Sequence, residues 1–123
     1  MRLYILALLS VSFVGSSHAL LSRGRTQDCD CPDASYNSRD IMEAINMATS
    51  RNGRDYPHQY HNYEGISFPS CHGELLEYPL KKMGVYKGTG SPGADRVIYD
   101  KTHDFCGCIA HGSDKSGPFV QCK

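Results

Sequence analysis

Glu77 and His111 are the two residues whose types and setting best suit proton-transfer chemistry. A carboxylate and an imidazole held on either side of a reacting centre can divide the work, one removing a proton and the other supplying one. Each sits in a stretch of alternating character. In Glu74–Pro79, Leu76 and Tyr78 point one way along an extended chain and Glu77 points the other. In Phe105–His111, Ile109 and His111 share one face, and Cys106, Cys108 and Ala110 share the opposite one. If Leu76, Tyr78 and Cys108 face a core, Glu77 and His111 both look out from the open face of one sheet.

Six cysteines form the other reactive set: Cys29, Cys31, Cys71, Cys106, Cys108 and Cys122. Cys29-Asp30-Cys31 and Cys106-Gly107-Cys108 raise the idea of zinc, but C-x-C lacks the usual two-to-four-residue ligand spacing. An even count in an exported chain instead implies disulfides, whose pairing spacing alone does not resolve. Export is indicated by Arg2, by the apolar run Leu3 to Val14 broken only by Ser10 and Ser12, and by Ser17-His18-Ala19, small at the positions a signal peptidase reads. The run is shorter than the roughly 18 apolar residues that cross a bilayer. Residues 1–19 are therefore expected to be a signal peptide, 20–28 a loose segment and 29–123 one secreted domain. Cleavage removes a single charge, Arg2, and leaves 12 basic against 13 acidic residues. That balance excludes a polycationic nucleic-acid arm and an acidic tail. A core from 123 residues is small, so disulfides carry a large share of its stability.

The elements that must hold the reactive residues can be placed by periodicity. Ile41, Ala44, Ile45 and Ala48 recur at helical spacing, with Asn37 or Ser38 as cap, Asp40 in the first turn and Asn52-Gly53 as stop. The remainder is short, turn-punctuated and rich in β-branched and aromatic residues. Tyr56–Tyr60, Glu74–Pro79, Arg96–Asp100, Phe105–His111 and Phe119–Cys122 read as antiparallel strands. The fold class is α+β, one amphipathic helix packed on a twisted antiparallel sheet and stapled by disulfides. Gly88, Gly90 and Gly93 lack the pattern of a phosphate loop and read as a turn. Tyr36, Tyr86 and Tyr99 read as packing residues, and His18, His72 and His103 receive no role.

Five blocks in order make the reading specific: Tyr56-Pro57-His58-Gln59-Tyr60-His61-Asn62-Tyr63-Glu64-Gly65, Glu77-Tyr78-Pro79, Ser91-Pro92-Gly93-Ala94-Asp95-Arg96-Val97, Gly107-Cys108-Ile109-Ala110-His111 and Phe119-Val120-Gln121-Cys122. From about Cys31 to Cys122 the chain resembles the secreted fungal guanyl-specific ribonucleases, the ribonuclease T-one family, which includes the ribotoxins. The resemblance implies an endoribonuclease that cuts single-stranded RNA 3′ to guanosine through a 2′,3′-cyclic phosphate, as a monomer without metal, cofactor or membrane. It makes Glu77 the base, His111 the acid, His58 the partner of the base and Arg96 the cation for the crowded phosphorus. Tyr56 becomes a phosphate-bonding phenol and Phe119 an apolar wall.

For the base, the resemblance implies a sandwich between Tyr60 and Tyr63, with Glu64 accepting from guanine and with backbone contacts from His61, Asn62, Tyr63 and Gly117. Two departures touch this pocket: His61 stands where Asn is common, and Gly117-Pro118 replaces an Asn pair. These leave guanine as the expected base and purines in general as the wider class. Ser70-Cys71-His72-Gly73 and Phe105-Cys106-Gly107 look like the purine-preferring and ribotoxin branches, which implies bridges Cys71–Cys106 and Cys31–Cys122. Cys29 and Cys108 either pair or leave a buried thiol. The alternative functions are a ribotoxin acting on ribosomal RNA and an effector binding host RNA or protein. Against the first stand the short Gly65 to Glu77 segment and the near-neutral charge, and against the second the six retained catalytic positions.

Overall fold

Asn37 starts the helix because its side chain accepts from the Asp40 amide at 2.9 Å while the Asp40 carboxylate accepts from the Asn37 amide at 3.0 Å. This reciprocal box satisfies two donors that the first turn leaves open. The Ser38 amide, a third, goes to the Asp28 carboxylate at 2.8 Å. The computed structural model describes residues 26–50, 55–112 and 116–123. The expected signal peptide, most of the expected loose segment and the expected Asn52-Gly53 helix stop lie outside them. Helix α1 runs Ser38–Thr49, with Ser50 closing its end, and buries Ile41, Ala44, Ile45 and Ala48 as the stripe requires. Burial of each isoleucine contributes roughly 1.5–3 kcal/mol.

Two short strands precede the helix, β1 (Cys29–Asp30) and β2 (Ser35–Tyr36), paired antiparallel. Sequence patterning did not mark them, since two residues are too few to alternate. The main sheet follows as β3 (His58–Tyr60), β4 (Leu75–Pro79), β5 (Asp95–Asp100), β6 (Phe105–His111) and β7 (Phe119–Gln121). All neighbours are antiparallel and lie in chain order. The first strand begins at His58 rather than Tyr56, in keeping with a proline that has no amide to donate to a ladder.

The sheet separates two clusters. On the helix side, α1 packs on Tyr78, Val97, Tyr99, Phe105 and Cys108. On the other side Tyr60, Phe68, Cys71, Ile98, Cys106 and Ile109 form a smaller cluster at the floor of a concave face. Here the expected alternation of β6 needs correction. Ile98 pairs with Gly107 and Tyr99 with Phe105, so Cys106 is an extra residue in a bulge. It turns to the face opposite Cys108 and meets Cys71 there.

Three bridges close the domain: Cys29–Cys108, Cys31–Cys122 and Cys71–Cys106. Cys29 and Cys108 pair with each other, which resolves the open alternative. The first two bridges tie β1 and the residue after it to β6 and the C-terminus. Backbone bonds Asp30 to Lys123, at 2.7 and 3.0 Å, reinforce that tie.

Candidate active site

On the concave face the two-residue period places His58 and Tyr60 from β3, Glu77 from β4, Arg96 and Ile98 from β5, Ile109 and His111 from β6, and Phe119 from β7 on one side of the sheet. Strand register does the rest. His58 lies directly opposite Glu77, and Phe119 directly opposite His111.

Glu77 is the buried centre of the group, 5% exposed. Its Oε1 lies 3.0 Å from His58 Nε2 and 4.0 Å from Arg96 Nε. Burial raises its carboxyl above the ordinary range. The charges of His58, Arg96 and His111 oppose the rise without cancelling it, and Glu64 adds to it. A carboxylate so placed is a stronger base than a solvated one.

Arg96 is more deeply buried still, at 3%. Its Nη1 donates to the carbonyls of Gly93 at 2.8 Å and Asp95 at 2.9 Å, and its Nη2 to the Tyr56 hydroxyl at 3.1 Å. Its Nε finds no hydrogen-bond acceptor. The guanidinium therefore stands fixed beside Glu77 by neutral acceptors, over the Tyr56 ring at 5.1 Å and near Phe119 at 6.0 Å. Such a preorganised cation stabilises negative charge that builds up beside it.

His111 is half-buried and its Nδ1 meets the Gly117 carbonyl at 2.7 Å. A carbonyl only accepts, so Nδ1 carries a proton and Nε2 is the atom left for chemistry. The imidazole stacks on Phe119 with centroids 3.9 Å apart. Tyr56 stacks on His58 at 4.6 Å. Both imidazoles are thus held by an aromatic neighbour.

Beside this group lies a carboxylate pocket built on the 61–66 loop. Asn62 shapes the loop: its side chain accepts from the Ile66 amide at 2.8 Å and donates to the Ile66 carbonyl at 2.7 Å. Its own φ is 54°, a left-handed value that asparagine tolerates better than most residues. Glu64 accepts from the Tyr60 hydroxyl at 2.9 Å and from the Phe119 amide at 3.1 Å. Desolvation pushes the Glu64 carboxyl up, but these two bonds, one from its own amide and the charge of His111 outweigh it, and the net shift is downward. Glu64 is thus an ionised acceptor.

The two tyrosines of the expected sandwich differ. Tyr60 is buried, edge-on to Phe68 and Phe119, and burial together with Glu64 raises its phenol so that the hydroxyl stays a donor. Tyr63 is 88% exposed and stacks on His61 at 5.3 Å. Gly117 gives its carbonyl to His111. The structure also adds residues that residue type had not marked: Gly93 and Asp95 through their carbonyls, and Tyr86, whose ring meets Tyr56 edge-on at 5.9 Å. Gly107 lies under the pocket, where a Cβ would come within 3.0 Å of the Phe68 ring.

As for metals, the one grouping of ligand-type side chains among the described residues is Cys71, Asp100 and Cys106. Its two cysteines are bonded to each other, so it offers no thiolate.

A family model described as ribonuclease matches residues 24–123. The chain is 44% identical over 97 residues to guanyl-specific ribonuclease U1 of Ustilago sphaerogena, covering 76% of this chain and 92% of that protein. It is 37% identical over 99 residues to the extracellular guanyl-specific ribonuclease Fl1 of Gibberella baccata, covering 75% and 92%. The solved structure of a ribonuclease from Hericium erinaceus, RNase He1, superposes with a TM-score of 0.65 at 52% identity, covering 78% of this chain and 98% of that one.

Proposed function

From its membership of the ribonuclease family, to which this chain belongs, we propose that it cleaves single-stranded RNA 3′ to guanosine with Glu77 as base and His111 as acid. It is an RNA-cleaving enzyme of the guanyl-specific kind, and the ribotoxin and effector alternatives are not favoured. In the first step Glu77 takes the proton of the ribose 2′-hydroxyl, and the 2′-oxygen bonds to phosphorus. The bond from phosphorus to the 5′-oxygen breaks as His111 Nε2, in its protonated form, delivers a proton to that oxygen. The products are a 2′,3′-cyclic phosphate and a free 5′-hydroxyl, and water later opens the ring. Arg96 and the Tyr56 hydroxyl balance the charge on the five-coordinate phosphorus, His58 supports Glu77, and Phe119 packs the phosphate from the apolar side.

Glu64 accepts from guanine N1–H and its amino group, a donor pair that adenine lacks, while Tyr63 covers the base. Stacking contributes about 1–3 kcal/mol with little selectivity, so base choice rests on the carboxylate.

The observation that carries this reading is the shared concave face, where Glu77 meets His58 at 3.0 Å and Arg96 at 4.0 Å. No step calls for a metal. The chain acts as an exported monomer once residues 1–19 are removed, and no helix among the described residues is long and apolar enough to cross a membrane.

The test is digestion of dinucleoside phosphates with guanosine or adenosine on the 5′ side, in chelator, with the product followed by phosphorus NMR. A cyclic phosphate formed fastest from the guanosine substrate is expected. Equal rates for adenosine would place the enzyme with the general purine cutters, and activity lost in chelator and restored by a divalent ion would overturn the metal-free scheme.

A further inference from the structure

Tyr86 belongs to the stretch between β4 and β5, and its residue type marks it only for packing. Lys82, Met83, Gly84 and Lys87 to Gly90 around it are exposed, whereas Tyr86 turns inward and is 5% exposed. Tyr78 fixes it there twice over. The Tyr78 hydroxyl donates to the Tyr86 carbonyl, and the two rings meet edge-on with centroids 5.7 Å apart. Tyr78 is itself fully buried in the helix-side cluster, and it follows Glu77 directly in β4.

Tyr86 in turn meets Tyr56, with ring centroids 5.9 Å apart and planes at 89°. Tyr56 lies ahead of β3, so the contacts of its ring rather than a strand ladder set where that ring stands. Two groups of the concave face lean on it. His58 stacks on the ring at 4.6 Å, and the Arg96 guanidinium lies over it at 5.1 Å while Nη2 donates to the hydroxyl at 3.1 Å. The contacts close a circuit: Glu77 to His58, His58 to Tyr56, Tyr56 to Tyr86, Tyr86 to Tyr78, and Tyr78 along the chain back to Glu77. An edge-on aromatic pair favours one mutual orientation of its rings, so the circuit carries the order of the core to the open face.

We propose that Tyr86 is a positioning residue of the cleavage centre, whose ring fixes Tyr56 and through it Arg96 and His58. The inference rests on the reading of the concave face as that centre. Tyr86 touches no reacting atom in the scheme. It acts on where the Tyr56 hydroxyl and the guanidinium stand when charge builds at phosphorus, and groups fixed in advance stabilise that charge best. Glu64 and the 61–66 loop lie outside the circuit, so it bears on kcat rather than on KM.

The test compares Tyr86→Leu with Tyr86→Phe on a guanosine dinucleoside phosphate, well below the melting temperature of each variant. Tyr86→Leu should lower kcat by about 10-fold or more, since a displacement of about 1 Å can cost about 100-fold, with KM near wild type. Tyr86→Phe keeps the ring and should restore most of the rate. The rising limb of the pH profile should move upward in Tyr86→Leu. There His58 and Arg96, which with His111 hold the Glu77 carboxyl down against burial and Glu64, stand less closely. In a Tyr56→Leu background the same change should cost little more, because effects that run through one partner do not add. By NMR, the His58 ring-proton shifts displaced by the facing Tyr56 ring should move toward free imidazole in Tyr86→Leu and hold in Tyr86→Phe.

Equal kcat losses with and without Tyr56 would overturn the proposal. So would a lowered melting temperature with kcat and the His58 shifts unchanged, which would leave Tyr86 a packing residue. A loss in Tyr86→Phe as large as in Tyr86→Leu would also overturn it, by assigning the effect to the hydroxyl. Should Tyr86→Leu not fold, Tyr86→Met fills the space without a ring and takes its place in every comparison. If the wild-type enzyme does not cut the dinucleotide, the cleavage scheme fails by itself, and the His58 shifts still decide whether Tyr86 fixes Tyr56.

Discussion

The Phe119 amide donates to Glu64 Oε1 at 3.1 Å across 55 positions of sequence, and the ring of the same phenylalanine stacks on His111 at 3.9 Å. One residue therefore touches both the carboxylate proposed to read the base and the imidazole proposed as the acid. In the proposed scheme base recognition and proton delivery therefore share a wall, and a base seated on Glu64 would bear on the strand start that positions His111.

Glu64→Gln removes the acceptor for the paired guanine donors and leaves an amide in its place. Hydrogen bonds to a charged group contribute about 1.5–3 kcal/mol each, so losing the pair should lower kcat/KM for guanosine dinucleotides by at least about 100-fold. The rate on adenosine dinucleotides should change little. Steady-state kinetics on the two substrates checks this, and an equal fall on both would show that Glu64 serves the catalytic face rather than base choice.

Burial raises the Glu77 carboxyl in the folded enzyme above its ordinary value of 4.5. The rising limb of kcat/KM against pH should therefore have its midpoint above that value. The same shift has a sign for stability. Between the ordinary and the raised value the native state holds more protons than the unfolded chain, so stability falls as pH rises through that window. Glu77→Gln imitates the protonated group and escapes the fall. Its stability relative to wild type should improve as pH rises from below the ordinary carboxyl value through the raised one, as urea titrations across a pH series would show. The opposite trend would mean that the cations around Glu77 outweigh its desolvation.

Much of this was legible in sequence wherever a period was long enough to read. The stripe Ile41, Ala44, Ile45 and Ala48 located the helix, and alternation around Leu76 and Tyr78 placed Glu77 on the open face. Alternation failed at Cys106, because a bulge opposite Ile98 and Tyr99 inserts one residue and reverses its side. The carbonyls of Gly93 and Asp95 that hold Arg96 leave no trace in residue type, since every residue has a carbonyl.

Among the described residues the half-buried His111 ring meets Phe119 and the Gly117 carbonyl, at the end of β6 and outside both core clusters. His111→Ala should leave the melting temperature close to wild type and reduce kcat by about 100-fold or more, the range expected for a lost general acid. Near-normal turnover would remove His111 from the scheme.

The bridges Cys29–Cys108 and Cys71–Cys106 are separable by what lies around them. Cys108 is 2% exposed in the helix-side cluster, on the face away from Glu77. Replacing Cys29 and Cys108 together by Ser should cost about 2–5 kcal/mol of stability, while kcat/KM on a guanosine dinucleotide at low temperature stays near wild type. Cys71 and Cys106 instead pack with Tyr60 and Phe68, under the loop that carries Glu64. Their double replacement should raise KM for guanosine substrates as well as lower stability, because Tyr60 loses part of the floor that aims its hydroxyl at Glu64. Denaturant titrations and dinucleotide kinetics on both double variants make the comparison. A KM effect of equal size in the two would mean that the bridges stabilise the domain as a whole and that neither positions the base pocket.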